Sequence, residues 1–411
     1  MTALCVPVVI DDLQTGIILN CRIYSSPRSD DLYFICENAT ITNDMKRRLK
    51  RIVYPDDRVF IPQKYLETLT AAQYRGPIAM PPPLLKETWS PQEQVEKKQP
   101  GGLPGMSIPA TAKKATKTLE ETALQYRTSK YKASAMLDEL AANNFKVDEK
   151  QTEDIAQMVQ QQLEESDVSF VMHNINSMRN VDEYLYTHSL NVAMLNGLMA
   201  NWLKFDKEKR DELVKVGLLH DIGKLKISPD ILNKPGKLTP QEFEEIKKHP
   251  FYSFEMLLNS GQKNEAILKG IVQHHEKLNG SGYPCGLNVN QISEYSKITA
   301  ISDIYDAMVA RRVYKDAHSP FEILDSFAKG VYSELDMGYA KLFIDCMIQE
   351  LKEKNVLLSD GSSAKVKYIT KDLLLYPIVA SGDRVIETSP DIHIVSLINE
   401  EVSLDSIISN K

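Results

Sequence analysis

The 411-residue sequence has no run of about eighteen apolar residues, so nothing in it reads as a membrane-spanning helix. It also lacks the basic start of a secretion signal, because MTALCVPVVIDD turns acidic almost at once. Cysteine is scarce: Cys5, Cys21, Cys36, Cys285 and Cys346 are widely spaced and form no CxxC. An odd, scattered set excludes a disulfide framework and a zinc ribbon and fits a reducing cytoplasm. Excess positive charge is missing too. A formal net charge of −7 argues against a DNA-binding protein but allows a local basic pocket for a small phosphorylated ligand.

What is present is ordinary globular composition, 43% hydrophobic and 26% charged, in a chain long enough for two or three domains. The pattern changes three times along it. Residues 1–76 read as a small β-rich, α+β accessory domain, with strands at Val6–Ile10, Gly16–Tyr24, Leu32–Cys36 and Arg58–Ile61 and a short basic helix at Met45–Ile52. Residues 77–114 hold Pro81-Pro82-Pro83, Pro91, Pro100, Gly101-Gly102 and Pro104-Gly105, the composition of a linker.

From 115 to 355 apolar residues recur at three and four, which predicts an all-α domain. Helices are expected near 116–142, 151–176, 181–203, 207–222, 240–258, 263–277, 294–310, 320–330 and 337–353. Residues 356–411 turn β again, with strands expected at Lys365–Ile369, Leu374–Val379, Arg384–Glu387 and His393–Leu397. The whole reads as a multidomain chain, a helical catalytic domain flanked by a β-rich domain and a short β appendage.

Five of the eight histidines, all in the helical stretch, are candidate ligands: His188, His220, His249, His274 and His275. His220-Asp221 ends an apolar helix that Gly223 is expected to stop. Alone, the pair would read as a helix-end histidine with an aspartate cap. His274-His275 would close a second helix, His249 would end the helix before Pro250, and His188 would lie on an amphipathic helix, Leu185–Leu198. Asp303 sits among Ala300, Ile301, Ile304 and Ala307, where an unpartnered carboxylate is costly. A metal would supply the partner, as would an arginine. Five imidazoles and two carboxylates together suit Mn, Fe or Zn better than Mg or Ca.

The stretch from His188 to about Lys315 resembles the HD-GYP family, the cyclic di-GMP phosphodiesterases of bacteria within the HD phosphohydrolases. Three segments carry the resemblance: His220-Asp221-Ile222-Gly223-Lys224; His274-His275-Glu276 through Gly282-Tyr283-Pro284; and Ile301-Ser302-Asp303-Ile304-Tyr305-Asp306-Ala307. The stretch covers about a third of the chain.

The resemblance implies an HD-type helical fold and two divalent transition metals, Fe or Mn first and Zn, Ni or Co after them. The implied ligands are His188, His220, Asp221, His249, His274, His275 and Asp303, with Asp221 bridging. The metals would activate a water for in-line attack on phosphorus. Lys224 would contact the phosphate and help the leaving O3′ depart; otherwise it is a cation at a helix end. Arg312, Tyr314 and Lys315 stand where the family carries an Arg-Pro-Tyr-Arg-like segment, with Val313 in place of the proline and Lys315 in place of the last arginine, and are expected to contact phosphate or guanine. The Gly280–Pro284 loop is expected to expose Tyr283 for substrate or a signalling-protein partner, or simply to be a turn that seats it.

Family members with a third metal carry a glutamate four residues before the first histidine. Here that residue is Tyr184, which predicts two metals and linear pGpG as the product, with GMP as the further step. The competing readings are a hydrolase of another cyclic nucleotide and a receptor that binds ligand or partner without turnover. The helix pair 116–176 is expected to pack on the core, with a homodimer as the alternative.

Overall fold

The computed structural model describes residues 117–177, 184–234, 236–310, 320–329 and 334–398, together with 5–13, 15, 23–24, 33–35, 41, 46 and 58–62. The chain divides into two units, Met1–Ser107 and Ile108–Lys411. In the first, the described residues form an antiparallel sheet in the order β1-β4-β2-β3, from β1 (Cys5–Val9), β2 (Ile23–Tyr24), β3 (Tyr33–Ile35) and β4 (Arg58–Pro62). Cys5 lies opposite Pro62 and Val9 opposite Arg58. The linker, and the helix expected at 45–52 apart from Lys46, lie outside the described residues.

The second unit is helical and opens on a capping box. Thr118 Oγ1 accepts from the Glu121 N–H, and the Glu121 carboxylate accepts from the Thr118 N–H, before α1 (Leu119–Ala142). The helix expected at 151–176 is two helices, α2 (Glu149–Glu165) and α3 (Val168–Ser177). They part at Ser166-Asp167, where the Asp167 carboxylate takes the Ser169 N–H at 2.8 Å, a local bond that competes with the helix.

Next come α4 (Tyr184–Trp202) and α5 (Lys207–Leu219), the latter capped by Asp206. Every residue from Thr187 to Ala200 is buried, so α4 is buried all round and not the amphipathic helix expected at Leu185–Leu198. It is the central rod, with α1, α2, α5 and α10 (Glu294–Ala310) packed around it. The approach of α5 depends on Gly217, since a Cβ there would lie 2.6 Å from the Ala193 Cα.

A 3-10 helix at Ile222–Lys226 leads to α6 (Pro229–Leu232) and α7 (Pro240–Ile246). The helix expected at 240–258 breaks at Lys247-Lys248, and His249 starts α8 (His249–Asn259) instead of ending its predecessor. Pro250 explains this, because proline lacks the N–H that a helix interior needs and is tolerated in the first turn. α9 (Glu265–Val272) ends before the double histidine, and α11 (Pro320–Ala328) and α12 (Met337–Leu351) follow α10.

The chain then forms an antiparallel sheet in the order β8-β7-β6-β5-β9. Its strands are β5 (Asn355–Leu358), β6 (Ser363–Tyr368), β7 (Ile378–Ser381), β8 (Arg384–Glu387) and β9 (Ile394–Ile398). β5 has no counterpart in the expected strands. Leu374 lies outside β7, in a turn where its side chain is buried.

Candidate metal centre

Five helices and the turns that follow two of them bring the five histidines and two aspartates together. His188 comes from the first turns of α4, His249 from the start of α8 and Asp303 from the middle of α10. His220 caps the C-terminus of α5, and Asp221 follows it in a turn. His274 and His275 lie past the end of α9, which stops at Val272.

The donors fall into two groups, Asp221 with His249, His274 and His275, and His188 with His220 and Asp303; within each, the atoms lie within 4.8 Å of one another. Asp221 faces both. Its Oδ1 is 3.0 Å from His249 Nε2 and 4.0 Å from His274 Nε2, and its Oδ2 is 3.4 Å from both His188 Nε2 and His220 Nε2. Asp303 spans the groups from the other side, with Oδ1 3.1 Å from His188 Nε2 and Oδ2 3.8 Å from His275 Nδ1.

The second ring nitrogens fix the tautomers. His220 Nδ1–H donates to the Gly217 carbonyl at 2.7 Å, His249 Nδ1–H to Ile246 at 2.7 Å and His274 Nδ1–H to Ile271 at 2.6 Å. Each acceptor is a carbonyl three residues back in the last turn of a helix, where helical partners run out. The Nε2 lone pairs therefore point inward.

His249 and His274 Nε2 face each other at 3.3 Å, and His249 Nε2 faces Asp221 Oδ1 at 3.0 Å, with acceptors on both sides. Among the described residues His220 Nε2 and Asp221 Oδ1, both buried, have no hydrogen-bond partner. Converging lone pairs with no proton between them are what a cation requires, so the residues fit a metal pair.

Electrostatics divides the two groups. Burial pushes the His275 pKa down to about 3 and, with His275, His220 and His249 close by, holds His274 well below the usual range. His249 is lowered by burial as well, so these imidazoles are neutral. Burial opposes charge on His188 too, but Asp303 and Asp306 outweigh it and raise that group to about 10. Burial would raise Asp221; the Lys224 ammonium, His220 and His249 override it and hold the carboxyl well below its ordinary value.

Lys224 lies in the last turn of the 3-10 helix with its ammonium against Asp221 Oδ2. Gly223 is likewise not a helix stop, since α5 ends at Leu219. A Cβ on it would lie 2.1 Å from the His249 carbonyl, so its lack of a side chain lets the His-Asp turn pack on α8. Ser253 stitches that contact, donating to the His220 carbonyl and accepting the Gly223 N–H, both at 2.8 Å.

Of the two readings of the loop, the position of Tyr283 matches the turn that seats it. Its ring turns inward, 4.6 Å from the His275 ring and 6.4 Å from that of His249, and the side chain is half-buried. Burial, with Asp303 and Asp221 near, raises its hydroxyl well above the usual pKa. Glu276 holds the loop by accepting the N–H groups of Cys285, Gly286 and Leu287 at 2.6, 3.0 and 2.9 Å. Arg312, Tyr314 and Lys315 lie outside the described residues, and the structure places Tyr184 at the first residue of α4.

Sequence reasoning did not single out Glu276, Ser253 or Asp306. Asp306 Oδ2 accepts the His188 Nδ1–H at 2.7 Å. The signal for it was available: a second acid one turn beyond Asp303 in the same apolar helix.

The helical fold and the imidazole–carboxylate donor set define an HD-type domain, and the HD domain family matches residues 170–338. A cyclic di-GMP phosphodiesterase of Pseudomonas aeruginosa is 38% identical over 152 residues, 37% of this chain and 37% of that protein. A 3′3′-cGAMP-specific phosphodiesterase of Vibrio cholerae is 38% identical over 154 residues, 37% of this chain and 33% of that protein. A cyclic di-GMP phosphodiesterase of Borreliella burgdorferi is 28% identical over 229 residues, 55% of this chain and 60% of that protein. The chain thus spans about a third of the length of the first two relatives. Residues 170–338 of its helical region are thus similar to the HD domain family and to these cyclic-dinucleotide phosphodiesterases. No helix among the described residues is long and apolar enough to cross a membrane.

Proposed function

We propose that the helical region is a metal-dependent phosphodiesterase that opens cyclic di-GMP to linear pGpG. The observation that carries this reading is Asp221, whose two oxygens face two separate imidazole groups as a bridging carboxylate must. His188, His220, Asp221, His249, His274, His275 and Asp303 would hold two divalent ions, Fe or Mn before Zn, Ni or Co. Those ions would supply Lewis acidity and an activated water. Lys224, beside Asp221, contacts the phosphate and assists the departing O3′. Tyr283 keeps its hydroxyl proton and forms a wall of the site beside His275. Arg312, Tyr314 and Lys315 contact phosphate or guanine. Tyr184, where a third metal would need a glutamate, keeps the count at two and the product at pGpG.

The proposal includes a division into 1–76, 77–114, 115–355 and 356–411 and a cytoplasmic location. It also includes a docking role toward a signalling-protein partner for the Gly280–Pro284 loop, in which Ser281 is exposed.

The 38% identity to a 3′3′-cGAMP-specific enzyme favours a second reading, in which the mixed dinucleotide is the substrate. One experiment separates the readings. Full-length protein, stripped of metal and reconstituted anaerobically with Fe or Mn, is given each dinucleotide in turn. A higher kcat/KM for cyclic di-GMP supports the first, and a higher value for 3′3′-cGAMP the second. If neither yields a linear product, the chain is a receptor and the enzymatic reading is wrong.

A further inference from the structure

His188 differs from the other buried histidines in how its ring is held. His220, His249 and His274 each use a main-chain carbonyl left over at a helix end. His188 lies within α4, whose carbonyls serve the helix, so its Nδ1–H needs a partner from elsewhere in the fold. Asp306, 118 residues away on α10, supplies it at 2.7 Å.

The contact continues outward. Asn191 Nδ2 donates to Asp306 Oδ1 at 2.9 Å, and the Tyr126 hydroxyl donates to Asn191 Oδ1 at 2.6 Å. Tyr126, Asn191 and Asp306 are each 0% exposed and His188 is 2% exposed. The polarity runs one way. Because Tyr126 occupies the amide oxygen of Asn191, the amide nitrogen is the end turned to the carboxylate. A flipped amide would set oxygen against oxygen in a dry interior, where an unmet polar group is costly. The carboxylate in turn holds the proton on Nδ1 and leaves Nε2 to face Asp303 and Asp221.

We propose that Tyr126, Asn191 and Asp306 are positioning residues that set the tautomer of His188 and thereby the metal affinity of the His188/His220/Asp303 group, making α1 part of the metal centre. The inference rests on the metal reading above and extends it to a helix that holds no ligand.

The test is titration of the metal-free full chain with Co²⁺, read by the visible d–d absorption and by calorimetry. Wild type should take up two equivalents. Asp306→Asn should weaken one of them by about 10–100-fold, the usual effect of losing a ligand's outer partner, and leave the other in place. Tyr126→Phe, which removes only a hydroxyl, should weaken the same equivalent by about five-fold, the worth of one hydrogen bond. In a His249→Ala background, which removes the other equivalent, Asp306→Asn should weaken the one that remains.

If Asp306→Asn does not fold, as judged by circular dichroism of the metal-free protein, Tyr126→Phe decides. The proposal is overturned if either folded variant binds both equivalents as wild type does, or loses affinity equally at both. If wild type itself binds no metal, the metal reading falls and this inference falls with it. If wild type binds two and the variants match it, the inference alone falls.

Discussion

Around Oδ1 of Asp221 stand three imidazoles, two of them oriented by backbone carbonyls, all held neutral by burial. Around Oδ2 stand two imidazoles and the Asp303 carboxylate, and one of those imidazoles, His188, carries a proton on each nitrogen while facing Asp303 and Asp306. The two halves share a ligand but not a chemistry. The first is ready to accept a cation without releasing a proton. The second must give up the proton on His188 Nε2 as it binds, and it gains from a carboxylate whose charge the cation offsets. Two donor sets of the same residue types thus become unequal sites through the groups behind them.

The shared ligand gives the largest expected effect. Asp221→Ala should remove both metals and reduce turnover to background, measured as metal per chain and release of linear product. Retention of either metal would show that the halves do not depend on one bridge. Single-half variants come next. His249→Ala and Asp303→Asn should each lose one equivalent, and in metal-free protein only the second should change the charge at the centre, because His249 is neutral whereas Asp303 is one of the two anions that keep His188 protonated. Loss of both equivalents from either variant would merge the halves into one site.

Gly223→Ala should disturb the first half through packing alone. The added methyl meets the His249 carbonyl, and overpacking of this kind costs about 1–3 kcal/mol. Thermal unfolding should show that loss, with the weakened equivalent the one His249 holds.

The smallest effect separates the halves by pH in the metal-free protein. His275 titrates at about 3 when folded, against an unfolded value near 6.5, so its contribution is present above about 6.5 and is lost as pH falls below it. His188 titrates at about 10 when folded, so its contribution is full below about 6.5 and is lost as pH rises through 10. Each such group changes the slope of stability against pH by up to about 1.4 kcal/mol per unit. Melting curves from pH 5 to 10 should flatten on the acid side in His275→Asn and on the alkaline side in His188→Asn. The same change in both variants would erase the distinction.

Much of the site was legible before any coordinates because its motifs are local. His220-Asp221 and His274-His275 are neighbours in the chain, and Asp303 stood out as an acid in an apolar helix. Asp306 stood in the same helix but was passed over, because its role depends on His188, 118 residues away. The helix boundaries that differed turned on single residues: Asp167 capturing the Ser169 N–H, and Pro250 fitting only a first turn. The two glycines and the proline of its loop left open whether Tyr283 is exposed or seated on the domain. The three N–H groups that Glu276 gathers accompany a loop that turns the ring in against His275.

The sequence by itself determined the donor inventory and most of the tautomers. A histidine just past a helix end finds an orphan carbonyl three residues back, and that geometry is written in the local chain. Tertiary structure decided the direction of each Asp221 oxygen and the orientation of His188. Both depend on groups far apart in sequence that meet only when α1, α4, α8 and α10 pack together. In that dry interior a carboxylate or an imidazole takes the charge state its neighbours impose, and no stretch of sequence contains its own neighbours.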